Sequence, residues 1–465
     1  MSTSTPIRLI GTWAELDEKA RERAVARGID SIFDPGLRES IIELIEDVRV
    51  NGDDALVRAL RKFDGCEVDP SRLRISDEEF EQAQQTVDSA LLAAIRDAID
   101  HVRRFNEQIT AHGDWSFESE PGLTVGEKVG PIASAGLFVP SGKGSYPSVL
   151  VQLGTPAVVA GVPEIAVVVP PVPGGDGTVD EAVLVVAAEL GLREVFRANG
   201  PSGIAALAFG TETIPRVGKV VGPGSPAVAC AQVEVQRFGT ATSMLLGPSE
   251  SLVLADSSAD VRLLAADLLN EAEHGPDSSS VLVTDSRQLL DAVQAEVAVQ
   301  LARLPEPRRA YAAAALGVNG GAVLVQDMAE GAEVANQYAP EHMQVAVRDE
   351  EAVLALLHHA GEILIGQWTP VSAANFVIGC PASLPTGGFA KVNGGVTADA
   401  FRKRTAVARA DARALARMSG TVTAFAGHEG FPAHGAAVTI RLDTESNTRR
   451  GDGGTVGKTP GAESR

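Results

Sequence analysis

The chain is poor in cysteine: only Cys66, Cys230 and Cys380 occur, scattered and odd in number. That excludes a disulfide framework and gives no Cys-type zinc site. Basic residues are also in deficit, 40 against 61 acidic ones, for a formal net charge of -21. Nucleic acid and anionic membrane surfaces both require clustered Lys and Arg, so neither is an expected partner. The acidity itself says nothing about substrate, because solubility alone accounts for such values. Long apolar runs are missing; a stretch such as Ile165 to Val169 falls far short of the roughly 20 residues that span a membrane. Residues 1–13 have no basic flank and no apolar h-region, so no secretory signal is expected and a cytoplasmic location is the default. There is no short-period repeat and no coiled coil. No Gly-x-Gly-x-x-Gly follows a strand-like run, and no His-Glu-x-x-His occurs, which removes the usual hydrolase pattern.

What remains is ordinary globular composition, 45% hydrophobic and 22% charged over 465 residues. That length predicts two or three domains with ample core. Residues 1 to about 118 read as largely helical, with helical spacing over Ile41 to Val50 and Ala90 to Phe105. From about residue 124 short β-branched runs alternate with Ala/Leu-rich stretches. Leu137 to Pro140, Glu164 to Val169, Glu194 to Ala198 and Lys219 to Val221 read as strands, with helices over Ser148 to Ala160 and Asp180 to Leu190. A second such set comprises Ser251 to Asp256, Ser279 to Asp285, Val323 to Asp327, Met343 to Val347 and Glu362 to Gln367. Alternation of this kind implies βαβ units and buried parallel sheets. The fold class expected is α/β, two doubly wound Rossmann-like domains with helical segments at both termini. Beyond Thr444 the tail is rich in Gly, Thr and charge with little to bury, so disorder is expected over 444–465.

Chemistry concentrates at a few places. Gly247-Pro248-Ser249-Glu250 is followed by a strand-like run, an amphipathic helical run over Asp260 to Asn270, and then Glu271-Ala272-Glu273-His274-Gly275-Pro276-Asp277. Glu271 and His274 stand three apart, so on a helix they share a face, which is ligand spacing for a divalent metal. Tyr338-Ala339-Pro340-Glu341-His342 supplies an adjacent carboxylate and imidazole; an imidazole with an ordinary pKa suits a general base near neutral pH. His428-Glu429-Gly430-Phe431-Pro432-Ala433-His434 offers a further pair of candidate ligands. Gly136 to Ser145 is a Gly-rich turn leading into a helix, where exposed amides suit a phosphate. Cys380 carries no mark of an activated nucleophile.

In this order the landmarks resemble the histidinol dehydrogenase family, zinc- and NAD-dependent enzymes, from about residue 30 to residue 442. The resemblance implies that 119–248, the nucleotide side, is inserted into a first domain of 30–118 with 249–396. A segment at 1–29 precedes it, and a helical dimerisation segment at 397–443 follows. It implies metal ligands Glu271, His274, Asn375 and His434, of which the acid and amide stand where the family has Gln and Asp. His342 would be the base for the alcohol proton as hydride leaves to NAD, and Glu341 would activate water for the aldehyde-to-acid step. Ser249 and Glu429 would touch the substrate alongside the metal ligands. Glu429 and His434 would reach across a homodimer into the neighbour's site. Nucleotide contacts would fall on Phe138, Ser202 and Ser225.

The sequence departs from that pattern at Ile378-Gly379-Cys380-Pro381-Ala382-Ser383-Leu384-Pro385-Thr386, where Cys, Pro and Ala replace the family's Thr, Asn and His. The imidazole there lies close to the substrate, and Ala382 cannot replace it. The functions that this implies are oxidation of an amino alcohol, histidinol or a related polar alcohol, to the acid, or else a non-catalytic binding or scaffold role.

Overall fold

The computed structural model describes residues 6–26, 32, 34–141, 144–244 and 247–451, with side chains to 444. Two compact units emerge. One comprises Met1–Ala111 with Pro131–Arg402, the other His112–Gly130 with Lys403–Arg465.

In chain order the strands are β1 (Leu9–Thr12), β2 (Trp115–Glu120), β3 (Leu123–Pro131), β4 (Ser134–Phe138) and β5 (Glu164–Val169). Next come β6 (Val195–Arg197), β7 (Lys219–Val221), β8 (Ala241–Thr242), β9 (Glu250–Ala255) and β10 (Ser279–Thr284). Last are β11 (Gly321–Leu324), β12 (His342–Ala346), β13 (Glu362–Ile365) and β14 (Arg402–Ala410).

The larger unit is mixed α/β and carries two parallel sheets. One has the order β1-β11-β10-β9-β12-β13, the other β6-β5-β4-β7-β8. Both are buried on two faces, which is why their strands read as near-continuous Val, Leu and Ala runs. In the six-stranded sheet, Leu252 and Leu254 pack with Met343 against the helix Met328–Tyr338 side. Val253 and Ala255 pack against Leu264, Leu268 and Ala272 of the helix Val261–Ala272. In the five-stranded sheet Leu137 and Val167 face one cluster, while Phe138 and Val168 face the other.

The amino-terminal helices pack on the five-stranded sheet. Ile41, Ile45 and Leu56 of the helix Pro35–Ala59 bury against Val168, Phe196 and Leu207. Ile95, Ile99 and Val102 of Ser89–Thr110 bury against Leu137, Leu150 and Val167. Residues 35–110 therefore cover the five-stranded sheet. An apolar stripe dictates that a helix face be buried but leaves its partner open. The segment before residue 30 likewise belongs to a sheet: β1 pairs in parallel with β11, and Trp13 is buried behind it.

The smaller unit holds the order β14-β3-β2, with β2 and β3 antiparallel, and the helices Ala412–Glu429 and Pro432–Gly451. The segment expected to be helical thus includes a strand, β14, which opens on Arg402-Lys403-Arg404 and is almost wholly exposed. The last helix continues through Gly451, past Thr444, where disorder was expected. Residues 452–465 lie outside the described residues.

Candidate active site

The strands β9, β12 and β13 begin side by side. His342 opens β12 and has Ser251 of β9 and Glu362 of β13 as its register partners. Side chains alternate along a strand. Met343 and Leu252 face the helix Met328–Tyr338, so His342, Ser251 and Glu362 face the helix Val261–Ala272. That helix runs back antiparallel to the strands, so its carboxyl end delivers Glu271 over His342. The candidate site accordingly sits at the amino ends of the strands.

His342 arrives there through a backbone reversal. Ala339 ends the preceding helix with φ 52°, in the left-handed region where glycine is usual, and is wholly buried. Pro340-Glu341 then leads straight into β12. Glu341 is fixed in turn by the backbone N–H of Glu250, which donates to its Oε2 at 3.0 Å. The loop after residue 380 closes this side: Gly387 N–H donates to Glu250 Oε1 at 2.7 Å, and Gly247 N–H to Thr386 Oγ1 at 2.5 Å.

The side chains meet as follows. Glu271 Oε2 lies 3.1 Å from His274 Nδ1 and 4.0 Å from His342 Nε2. Glu341 Oε1 lies 3.8 Å from His342 Nε2. Ser249 Oγ is 3.2 Å from His274 Nδ1. Asn375 Nδ2 and Asn270 Nδ2 each donate to Glu271 Oε1 at 2.9 Å. Ser249, Glu271, His274, Asn375, Glu341 and His342 thus converge. Glu362, which sequence reasoning passed over, bonds His342 Nδ1 at 2.5 Å. Its only trace in the sequence is an acid at the start of an otherwise apolar strand.

Charge is dense here. For Glu271, burial pushes the carboxyl up, but His274, His342 and the two amides outweigh it and hold it below the usual range. Burial raises Glu341 to about 8; His342 opposes this, while Glu271 and Glu250 reinforce it. Burial would lower His342, yet the carboxylates of Glu271, Glu341 and Glu362 raise it to about 10. Without a cation His342 is therefore an imidazolium at neutral pH, contrary to the ordinary value assumed for a base. Cys380 is pushed up by burial and then by Glu362, which agrees with an inert thiol.

A divalent cation fits part of this arrangement. Glu271 Oε2 is buried with no hydrogen-bond partner among the described residues, and 3.1 Å to an imidazole nitrogen is a span that one cation bridges at about 2 Å from each. Among the described residues, no group of three or more His, Cys, Asp or Glu is placed to hold a metal. Glu271 and His274 supply two donors, and Asn375 adjoins them as an amide. Glu429 and His434 lie in the smaller unit, both exposed. Glu429 ends one helix and His434 occupies the first turn of the next, its ring 5.0 Å from that of Phe431.

On the five-stranded sheet, Phe138 ends β4 with its ring buried in the core, and Ser202 is wholly buried and donates to Asn199 O at 3.1 Å. Ser225 is exposed and caps the helix Pro226–Val235 through Val228 N–H. Gly222, at φ 154°, leaves no room for a Cβ, which would meet Phe138 O at 2.2 Å. In the Gly-rich turn, Gly136 serves close strand–helix packing, since a Cβ there would meet Leu207 at 2.8 Å. Residues 142 and 143 of that turn lie outside the described residues.

A sequence model of histidinol dehydrogenase matches residues 32–442. Histidinol dehydrogenase of Bacillus subtilis is 40% identical over 405 residues, 87% of this chain and 93% of that one. A protein named histidinol dehydrogenase homolog 2, of Mesorhizobium japonicum, is 40% identical over 401 residues, 86% of this chain and 90% of that one. The crystal structure of histidinol dehydrogenase from Elizabethkingia anophelis superposes with a TM-score of 0.89 at 29% identity, covering 95% of this chain and 99% of that one. The fold is mixed α/β, and the sequence match is to a class of NAD-dependent oxidoreductases. Within that class, the chain belongs to the histidinol dehydrogenase family. No helix among the described residues is long and apolar enough to cross a membrane.

Proposed function

We propose that this protein oxidises an amino alcohol or related polar alcohol through the aldehyde to the carboxylic acid, with zinc and NAD. The observation that carries this reading is the meeting of Glu271, His274, Glu341 and His342 within 4.0 Å contacts at one end of a sheet. Glu271, His274 and Asn375 would hold the metal from one subunit and His434 of the partner subunit would complete the set. When bound, the metal supplies Lewis-acid polarisation of the hydroxyl and the nicotinamide supplies a hydride acceptor.

This chain's own residues do the rest. A cation on Glu271 would cancel a carboxylate that now raises His342, returning Nε2 to a state able to take the hydroxyl proton. Glu341, raised towards neutrality by burial, is a strong enough carboxylate base to take a proton from water in the second step. Ser249, bonded to His274, would orient the substrate, and Glu429 of the partner subunit would meet its amino group. Exposed Phe425, Phe431 and Ile440 on the helices of the smaller unit support a homodimer assembled through that unit.

For NAD, the five-stranded order reverses between β4 and β7, and dinucleotides bind outside the carboxyl ends of strands at such a point in Rossmann-like domains. Phe138, which ends β4, and Ser225, which follows β7, would contact it, with Ser202 in the helix Gly200–Phe209. The absence of an imidazole at Ala382 weighs towards a related polar alcohol over histidinol itself. The test is metal analysis of the purified protein followed by a screen of polar alcohols with NAD, L-histidinol first. Near-stoichiometric zinc with oxidation of one alcohol supports the proposal; absence of zinc after zinc is supplied, with no oxidation, supports a binding protein instead.

A further inference from the structure

The buried acid at 362 has no place in the chemistry above, yet it makes the shortest contact to the proposed base. Glu362 and His342 are direct partners in the parallel register of β13 and β12. Paired positions present their side chains to the same face, and here the carboxylate Oε1 stands 2.5 Å from imidazole Nδ1. Both residues are buried, Glu362 to 9% and His342 to 2% exposure, so water does not compete for the contact. Glu362 Oε2 has no hydrogen-bond partner among the described residues, so the carboxylate serves this one ring. The backbone fixes the pair as well, because Glu362 N–H donates to Glu341 O at 3.1 Å.

We propose that Glu362 is a positioning residue that holds the His342 ring with its proton on Nδ1 and Nε2 turned towards Glu271 and Glu341. The hydrogen bond made by one ring nitrogen decides which nitrogen carries the proton, and an ionised carboxylate can only accept. With Nδ1–H committed to Glu362, the neutral ring carries its lone pair on Nε2, 4.0 Å from Glu271 and 3.8 Å from Glu341. In the reaction, the substrate O–H bond breaks and its proton goes to Nε2, while the carbinol hydride goes to the nicotinamide cofactor. Glu362 keeps its electrons and takes no proton; it stabilises the imidazolium that results. Its position beside His342 follows from strand register and not from the metal.

This rests on the alcohol-oxidising reading, and the experiment separates the two failures. Zinc-loaded wild type, Glu362→Gln and Glu362→Asp are compared for kcat and KM with the best alcohol of the screen, for zinc content, and for the ring nitrogen shifts of His342. Glu362→Gln should lower kcat by about 10²-fold, the scale of a mispositioned general base, with KM and zinc content nearly unchanged. Glu362→Asp should recover part of that loss. The ring shifts should show the proton on Nδ1 in the wild type and a redistribution in Glu362→Gln. Unchanged kcat in a folded Glu362→Gln, or a neutral ring in the wild type whose single proton is on Nε2, overturns the assignment. If no alcohol is oxidised by the wild type, the functional reading fails, and the ring shifts still decide the role of Glu362.

Discussion

Replacing Asn375 by aspartate tests the metal site through a sign change. Asn375 Nδ2 now donates to Glu271 Oε1 at 2.9 Å, and Glu271 is 1% exposed. Asn375→Asp exchanges that donor for a second carboxylate. Two like charges 2.9 Å apart repel by about 6 kcal/mol at an effective dielectric near 20. Protonation caps the cost: an aspartic acid of ordinary pKa, about 3.9, takes up a proton at pH 7 for about 4 kcal/mol. The metal-free variant should therefore be destabilised by about 4 kcal/mol at pH 7. Because the introduced acid has a raised pKa in the fold, the deficit is absent below about pH 4 and grows as pH rises. A cation on Glu271 and His274 reverses the effect, since the added carboxylate becomes a ligand. The assay is thermal unfolding of wild type and variant in chelator and in excess zinc, with zinc affinity from titration calorimetry. The variant should melt several degrees lower in chelator, gain more from zinc, and bind zinc more tightly. Equal melting in chelator would mean that the two side chains are not opposed. An equal zinc response would mean that residue 375 gives the metal no donor.

His342→Ala should abolish NADH formation from the alcohol, a loss of about 10²- to 10⁴-fold, while zinc content stays at the wild-type level; unchanged turnover would remove His342 as the base. Asp267, in the same helix as Glu271, is raised to about 6 by burial. A raised carboxyl pKa gives stability that is full below about pH 4 and lost as pH climbs through about 6, so Asp267→Asn should stabilise the protein by about 2–3 kcal/mol at pH 8 and by nothing below about pH 4. A melting-temperature difference that does not change with pH would contradict this. Arg197 is fully buried on β6, donating to Gly177 O at 2.6 Å and pairing with Glu79. Arg197→Ala should cost about 3–5 kcal/mol in denaturant unfolding, because a large buried side chain is lost and the carbonyls of Gly177 and Arg72 lose their donor; a cost below about 1 kcal/mol would show these contacts to be dispensable.

The two sheets were legible because a strand buried on both faces leaves a compact run of β-branched residues, as in Glu164–Val169 and Ser279–Thr284. The site was legible where chemistry is local in sequence: the spacing of Glu271 and His274, and the adjacency of Glu341 and His342. What distance in sequence hides was missed. Glu362 meets His342 only through the register of two strands, and nothing local marks that register. The helices of 35–110 show an apolar stripe, but the stripe is equally suited to either sheet. Strand β14 has no apolar face to announce it, being exposed along its length. Strand β1 is too short for a period to show. The ordinary pKa first given to His342 failed because three carboxylates from distant segments surround it.

The decisive measurement is the ratio of NADH formed to alcohol consumed by zinc-loaded protein, run beside protein stripped of metal. If cation, imidazole and carboxylate act together, the loaded protein yields twice as much NADH as alcohol consumed, ends at the acid, and falls silent when stripped. Turnover that survives metal removal, or a loaded protein that oxidises nothing in a broad panel of polar alcohols, contradicts the account.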